Sequence, residues 1–106
     1  MKSVKRQATL LLVILRSFAH KGLKRLYVDD TTRGLPPDAV EKLRAMLSFL
    51  ENMSHPEQLN AFPSWRAHQL TGNRKSVWSL HVTRNWRLAF RTDNDEILDV
   101  NFEDYH

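Results

Sequence analysis

At 106 residues the chain has material for one hydrophobic core and not for two. It contains no cysteine, which excludes a disulfide scaffold, a thiol nucleophile and any Cys-ligated metal, and fits a reducing compartment such as the cytoplasm. A formal net charge of +4 favours an anionic partner such as nucleic acid, while an apolar share of 42% is that of a folded protein.

Residues 1–8 are basic and polar, and Thr9–Leu15 is a short apolar run. The run is interrupted by Arg16 and lacks a small-residue cleavage site, so a buried strand over Leu11–Phe18 is expected rather than a signal peptide. It is also too short to span a bilayer. His20–Val28 reads as a short amphipathic helix, with Leu23, Leu26 and Tyr27 on one face, and Gly22 weakens it. Asp29–Pro37 is a linker, and Pro37-Asp38 marks the start of the next element. Over Asp38–Met53, the residues Val40, Leu43, Met46, Leu47, Leu50 and Met53 recur at helical spacing. This is the clearest helix of the chain, with Asp38 and Lys42 as an i,i+4 ion pair.

Ser54-His55-Pro56 ends that helix. Pro56–Asn60 is expected to form one helical turn capped by Ser54. Ala61–Ser64 reads as loop, Trp65–Leu70 as a strand and Thr71-Gly72-Asn73 as a turn. Two strands follow, Ser76–Val82 and Trp86–Arg91, joined by a turn at Arg84-Asn85. A third, Ile97–Phe102, precedes Glu103-Asp104-Tyr105-His106. Period-two alternation puts Trp86, Leu88 and Phe90 on one face and Arg87, Ala89 and Arg91 on the other. Leu98, Val100 and Phe102 would continue the apolar face. The reading is therefore a single α+β unit over residues 1–106, with two N-terminal helices packed on one face of a small, mostly antiparallel sheet.

Charge is segregated along the second half. From Ala61 to Thr92 every charged residue is basic, and from Asp93 to His106 every one is acidic. Cross-strand pairing accounts for some of this pattern. The remainder points to a basic face. Among His20, His55, His68, His81 and His106 there is no metal-ligand spacing, and the glycines form no phosphate loop. No metal or cofactor is expected. Basic side chains beside histidines, a tyrosine and a carboxylate suit general acid–base work on a phosphodiester. Cleaving RNA without metal needs a base for the 2′-hydroxyl, an acid for the 5′-oxygen and cations for the charge building on phosphorus. Imidazole and guanidinium are the natural side chains for these tasks.

Several segments carry a family resemblance. Ser17-Phe18, His20-Lys21-Gly22-Leu23-Lys24, Gly34-Leu35-Pro36-Pro37, Trp78-Ser79-Leu80, Asn85-Trp86-Arg87-Leu88 and the ending Glu103-Asp104-Tyr105-His106 resemble the HigB toxins of the RelE-like superfamily. The resemblance covers the chain from about Val13 onward and implies a RelE-like microbial RNase fold. Residues 1–12 would then be a flexible N-terminal extension. It implies a toxin of a type II toxin–antitoxin system, a ribosome-dependent mRNA endonuclease acting in the A site. Such a toxin is neutralised by a HigA-like helix-turn-helix antitoxin, which supplies any contact with operator DNA.

Carried over position by position, the resemblance makes His68, Asp104 and His106 acid–base candidates and Tyr105 a residue that stacks on or orients a base. It makes Arg87, Arg84 and Asn85 contacts to RNA. A lysine of the family pattern is Thr71 here, leaving Arg74 or Lys75 to reach the same phosphate. The departure keeps a second reading open: a catalytically impaired RNA- or ribosome-binding domain that acts mainly with its antitoxin in promoter autoregulation. A purely structural partner of the antitoxin is a third.

Overall fold

The computed structural model describes residues 14–74, 76–94 and 96–105. The start of the strand expected over Leu11–Phe18 (residues 11–13), the extension 1–12, Lys75 and His106 lie outside them. Of that strand's described residues, 14–18, only Ile14–Leu15 form strand β1, and Phe18 adds an isolated bridge to Val100.

Helix α1 spans Lys21–Asp29, and its first turn explains a short motif. His20 is the N-cap: its Nδ1 accepts the Leu23 N–H at 3.2 Å, and its ring meets Phe102 edge-on at 5.7 Å. A Cβ on Gly22 would stand 2.8 Å from His20 Cε1, so the residue that weakens the helix by propensity is the one that leaves room for its cap. The helix ends at Asp30, whose left-handed backbone (φ 56°) lets its N–H reach the Arg25 and Leu26 carbonyls.

Burial lowers the His20 pKa below its ordinary value, and the nearby Arg25 charge adds to this. A protonated Nδ1 cannot accept the Leu23 N–H. The cap's contribution is therefore present above pH 6.5, the unfolded value, and is lost as pH falls through the lowered folded value. His20→Ala should cost about 1 kcal/mol at pH 7.5. In urea melts the gap between wild type and variant should close on acidification; a gap that does not depend on pH would refute the role.

A 3₁₀ turn at Pro37–Ala39 leads into α2, Val40–Asn52. Val40, Leu43, Met46, Leu47 and Leu50 are buried, as the spacing requires, each adding roughly 1.5–3 kcal/mol of transfer free energy. The cation that pairs around this helix is Arg44, to Glu41 at 2.7 Å and Asp30 at 3.0 Å, rather than Lys42 with Asp38. Beyond α2, the 3₁₀ turn Pro56–Ala61 is secured by Gln58, not by Ser54. Gln58 Oε1 accepts the backbone N–H of Ser54 at 2.6 Å and of His55 at 3.2 Å. A long amide reaching back does what a short hydroxyl at that position would do forward. A further 3₁₀ turn, Pro63–Trp65, replaces the start of the strand expected from Trp65, leaving β2 as His68–Gln69 alone.

The remaining strands are β3 (Val77–His81), β4 (Trp86–Asp93) and β5 (Glu96–Asp104). The sheet order is β1-β5-β4-β3-β2, with β1 parallel to β5 and every other pair antiparallel. One face, carrying Leu80, Leu88, Phe90, Ile97, Val100 and Phe102, packs with α1 and α2 into a single core. No helix among the described residues is long and apolar enough to cross a membrane.

One expectation on β5 is wrong in an instructive way. Ile97 is fully buried while Leu98 is only half-buried. The ladder pairs Ala89 with Asn101 but Arg91 with Leu98, so β5 holds an extra residue against Phe90. Asp99, at φ 54°, is in the left-handed region and takes up that residue as a β-bulge. Its carboxylate accepts from Arg91 Nε at 2.8 Å, and its N–H donates to Ser17 Oγ at 2.9 Å.

Candidate functional site

The face of the sheet away from the helices collects most of the side chains singled out by chemistry. Cross-strand register sets two rows on it. His68, Ser79, Ala89 and Asn101 lie side by side in the first, and His81, Arg87 and Glu103 in the second.

In the second row, Glu103 is the hub. Its Oε1 accepts from Arg87 Nε at 3.0 Å. Arg74, from the 3₁₀ turn Gly72–Arg74, donates to both carboxylate oxygens, at 3.2 and 2.7 Å. Asn101 Nδ2 adds a contact at 3.3 Å. The Glu103 side chain is 17% exposed, against 21% for Arg87 and 44% for Arg74. Burial pushes the Glu103 carboxyl up, but the hydrogen bonds and charges of Arg74 and Arg87 outweigh it and hold the group below the usual carboxylate range. Two candidate phosphate contacts are thus already half-neutralised by one acid. Beside them a cavity of about 200 Å³ opens between Ala19, Arg74, Arg91, Asn101 and Glu103.

Tyr105 leaves the end of β5, where Asp104 pairs with Trp86. Its N–H donates to the Asn85 carbonyl at 3.0 Å, and its ring lies 5.6 Å from the Arg87 guanidinium carbon. Its hydroxyl is 2.9 Å from Nδ1 of His81. Asn85 and Arg84 occupy the turn between β3 and β4, closed by Trp86 N–H to the Thr83 carbonyl at 3.2 Å, as expected. Arg84 is exposed there.

His68 is exposed on the edge strand, its Nδ1 2.7 Å from the Arg66 carbonyl oxygen. A carbonyl only accepts, so Nδ1 carries a proton and Nε2 is the ring nitrogen left to exchange one. Among the described residues the hydrogen bonds and ring contacts join Tyr105 to Asn85, Arg87 and His81, and tie His68 to its own loop. Lys75 and His106 lie outside the described residues.

Sequence reasoning passed over two members of this arrangement. Glu103 was counted with the acidic block, although its even spacing from Asn101 already set it on the face opposite Phe102. His81 was one histidine of five, with no local signal. Burial lowers the His81 pKa, and the charges of Arg66 and Lys42 lower it further, which favours the neutral ring at pH 7.

Comparison with known proteins places the chain in a class. A mutant of YafQ from E. coli is 15% identical, with a TM-score of 0.51 over 86% of this chain and 93% of that one. The YoeB dimer from Staphylococcus aureus is likewise 15% identical, with a TM-score of 0.50 over 89% of this chain and 97% of that one. The α+β fold is therefore shared with these two proteins. Residues 16–106 match the family described as RelE-like toxin of type II toxin-antitoxin system HigB. The Endoribonuclease HigB of Proteus vulgaris is 34% identical over 93 residues, 88% of this chain and all of that protein. The chain belongs to the HigB-like toxin family.

Proposed function

We propose that the protein is a ribosome-dependent, metal-independent endoribonuclease that cleaves translated mRNA in the A site. The observation that carries this reading is an exposed His68, anchored through Nδ1, on the sheet face that also bears Arg87 and Tyr105 and is reached by Arg74. The reaction is attack of the ribose 2′-hydroxyl on the adjacent phosphorus with expulsion of the 5′-oxygen. His68 and His106, with Asp104, exchange the two protons. Arg87, Arg74, Lys75, Arg84 and Asn85 contact the RNA, the guanidinium forks neutralising the phosphorane oxygens. Tyr105 offers its ring to a base. The type II family implies an antitoxin partner, which is a HigA-like helix-turn-helix protein. Operator DNA is then reached only through that partner, and the working compartment is the cytoplasm.

One observation favours a second reading. Glu103 occupies both Arg74 and Arg87, and Thr71 stands where the family pattern has a lysine. A face so neutralised suits a domain that binds RNA or the ribosome without cutting it, and acts mainly with its antitoxin in promoter autoregulation.

Induced expression of wild type beside His106→Ala, with mapping of mRNA 5′ ends, separates the two. Wild type should arrest growth and leave new ends within translated frames, and His106→Ala should leave none. Salt-sensitive RNA binding in both proteins with no new ends in either supports the second reading.

A further inference from the structure

We propose that His81 is a positioning residue for Tyr105: from β3 it holds the phenol hydroxyl and fixes the ring across β4 as a platform for one base of the bound RNA. The inference rests on the endoribonuclease reading and names a residue that this reading does not use.

The geometry is that of a strut tied at both ends. Tyr105 is anchored at its backbone by the 3.0 Å bond to the Asn85 carbonyl and at its tip by the 2.9 Å contact with His81 Nδ1. Between these points the side chain runs from the residue that follows β5 towards β3, and β4 lies between those two strands in the sheet. It therefore lies over the intervening strand, and Arg87 is the residue beneath it, in register with His81 on one side and Glu103 on the other. The two rings stand 5.7 Å apart and tilted by 34°, so they meet through the hydrogen bond and not by stacking.

Tyr105 is nevertheless 38% exposed. An exposed aromatic ring with a free tip samples several rotamers, and a base that stacks on it must first order it. With the hydroxyl held, that ordering precedes binding, and the cation under one part of the ring leaves the rest for a base. His81 fits the task because its Nδ1 accepts the phenol proton when the ring hydrogen is on Nε2. Leu80 and Val82, its neighbours in the chain, are buried in the core and could not reach.

The test compares wild type, His81→Leu, His81→Asn, Tyr105→Phe and the double variant His81→Leu/Tyr105→Phe in cleavage of a defined mRNA on translating ribosomes, with thermal melts to verify folding. Losing one positioning hydrogen bond should lower kcat/KM about tenfold in His81→Leu and equally in Tyr105→Phe. The double variant should be no worse than either single one, because both remove the same contact. His81→Asn, whose amide oxygen takes the place of Nδ1, should recover most of the rate. Wild-type activity in His81→Leu overturns the proposal. So do single losses that multiply in the double variant, since His81 would then act on RNA by itself. If wild type does not cut, the endoribonuclease reading fails separately, and affinity for a short single-stranded RNA across the same variants decides the positioning role by the same pattern. His81 ring nitrogen shifts that ignore Tyr105→Phe would overturn it in either case.

Discussion

Deleting Asp104, Tyr105 and His106 should lower RNA cleavage by about 10² to 10⁴, the range of acid–base catalysis, while the fold persists. Among the described residues the buried apolar core ends before Asp104. Phe102 is the last buried apolar side chain, and it is held from both sides by the stacked Trp86 at 4.6 Å and the edge of His20. The deletion removes one terminal ladder pair, Asp104 with Trp86, and the Tyr105 bonds to Asn85 and His81. Terminal pairs and half-exposed hydrogen bonds are worth about 1 kcal/mol together, so the melting temperature should fall by roughly 4–8 °C. Cleavage of translated mRNA and a thermal melt measure the two effects independently. A truncated protein that cuts at the full rate would remove these residues from the mechanism. One that does not fold would mean that β5 depends on its end more than the burial pattern indicates.

Glu103→Ala should have the largest effect on stability among substitutions on the sheet's open face. It leaves Arg87, a half-buried guanidinium, without its counter-charge and places Arg74 nearby as a like charge. Fully buried pairs lose 3–5 kcal/mol when broken and surface pairs under 1, so a partly exposed triad should lose about 2 kcal/mol. For a domain of this size that is a fall on the order of 10 °C. The sign of the pH dependence follows from the lowered Glu103 pKa. Its contribution is present above the ordinary carboxylate value and disappears as pH falls through the lowered folded value. The difference between wild type and variant should therefore be full at pH 7 and shrink towards pH 3. Affinity for RNA should move the opposite way. Releasing two arginines adds cations to the site, so the variant should bind single-stranded RNA more tightly and with a steeper salt dependence, by about 0.7 in log–log slope per phosphate gained. Unchanged stability at pH 7 would show that the triad is solvated and energetically idle.

What was legible in the sequence was whatever repeats with a fixed local period. The stripe from Val40 to Met53 gave α2, and the alternation of Trp86, Leu88 and Phe90 gave β4 and its inner face. The charge segregation was legible as a pattern but not in its meaning. Arg87 and Arg91 face Glu103 and Asp99, so much of the basic block is balanced across the sheet and less is free than its count suggested. Features that depend on register between distant segments stayed hidden. Nothing near His81 says that Tyr105 will lie over the next strand. The hairpin turn at Arg84-Asn85 was readable, yet its carbonyl as the anchor for Tyr105 was not, because the partner comes from another strand.

The bulge at Asp99 resolves a problem of parity. Ile97 and Glu103 are six positions apart, an even number, so an unbroken strand would turn both side chains to the same side. The protein needs Ile97 in the core and Glu103 outside it, holding Arg74 and Arg87. One inserted residue changes even to odd. The part of β5 that meets β1 and the hairpin, and the part that carries the site, are thereby freed from each other's alternation. A single backbone torsion of unusual sign is what allows one strand to serve both.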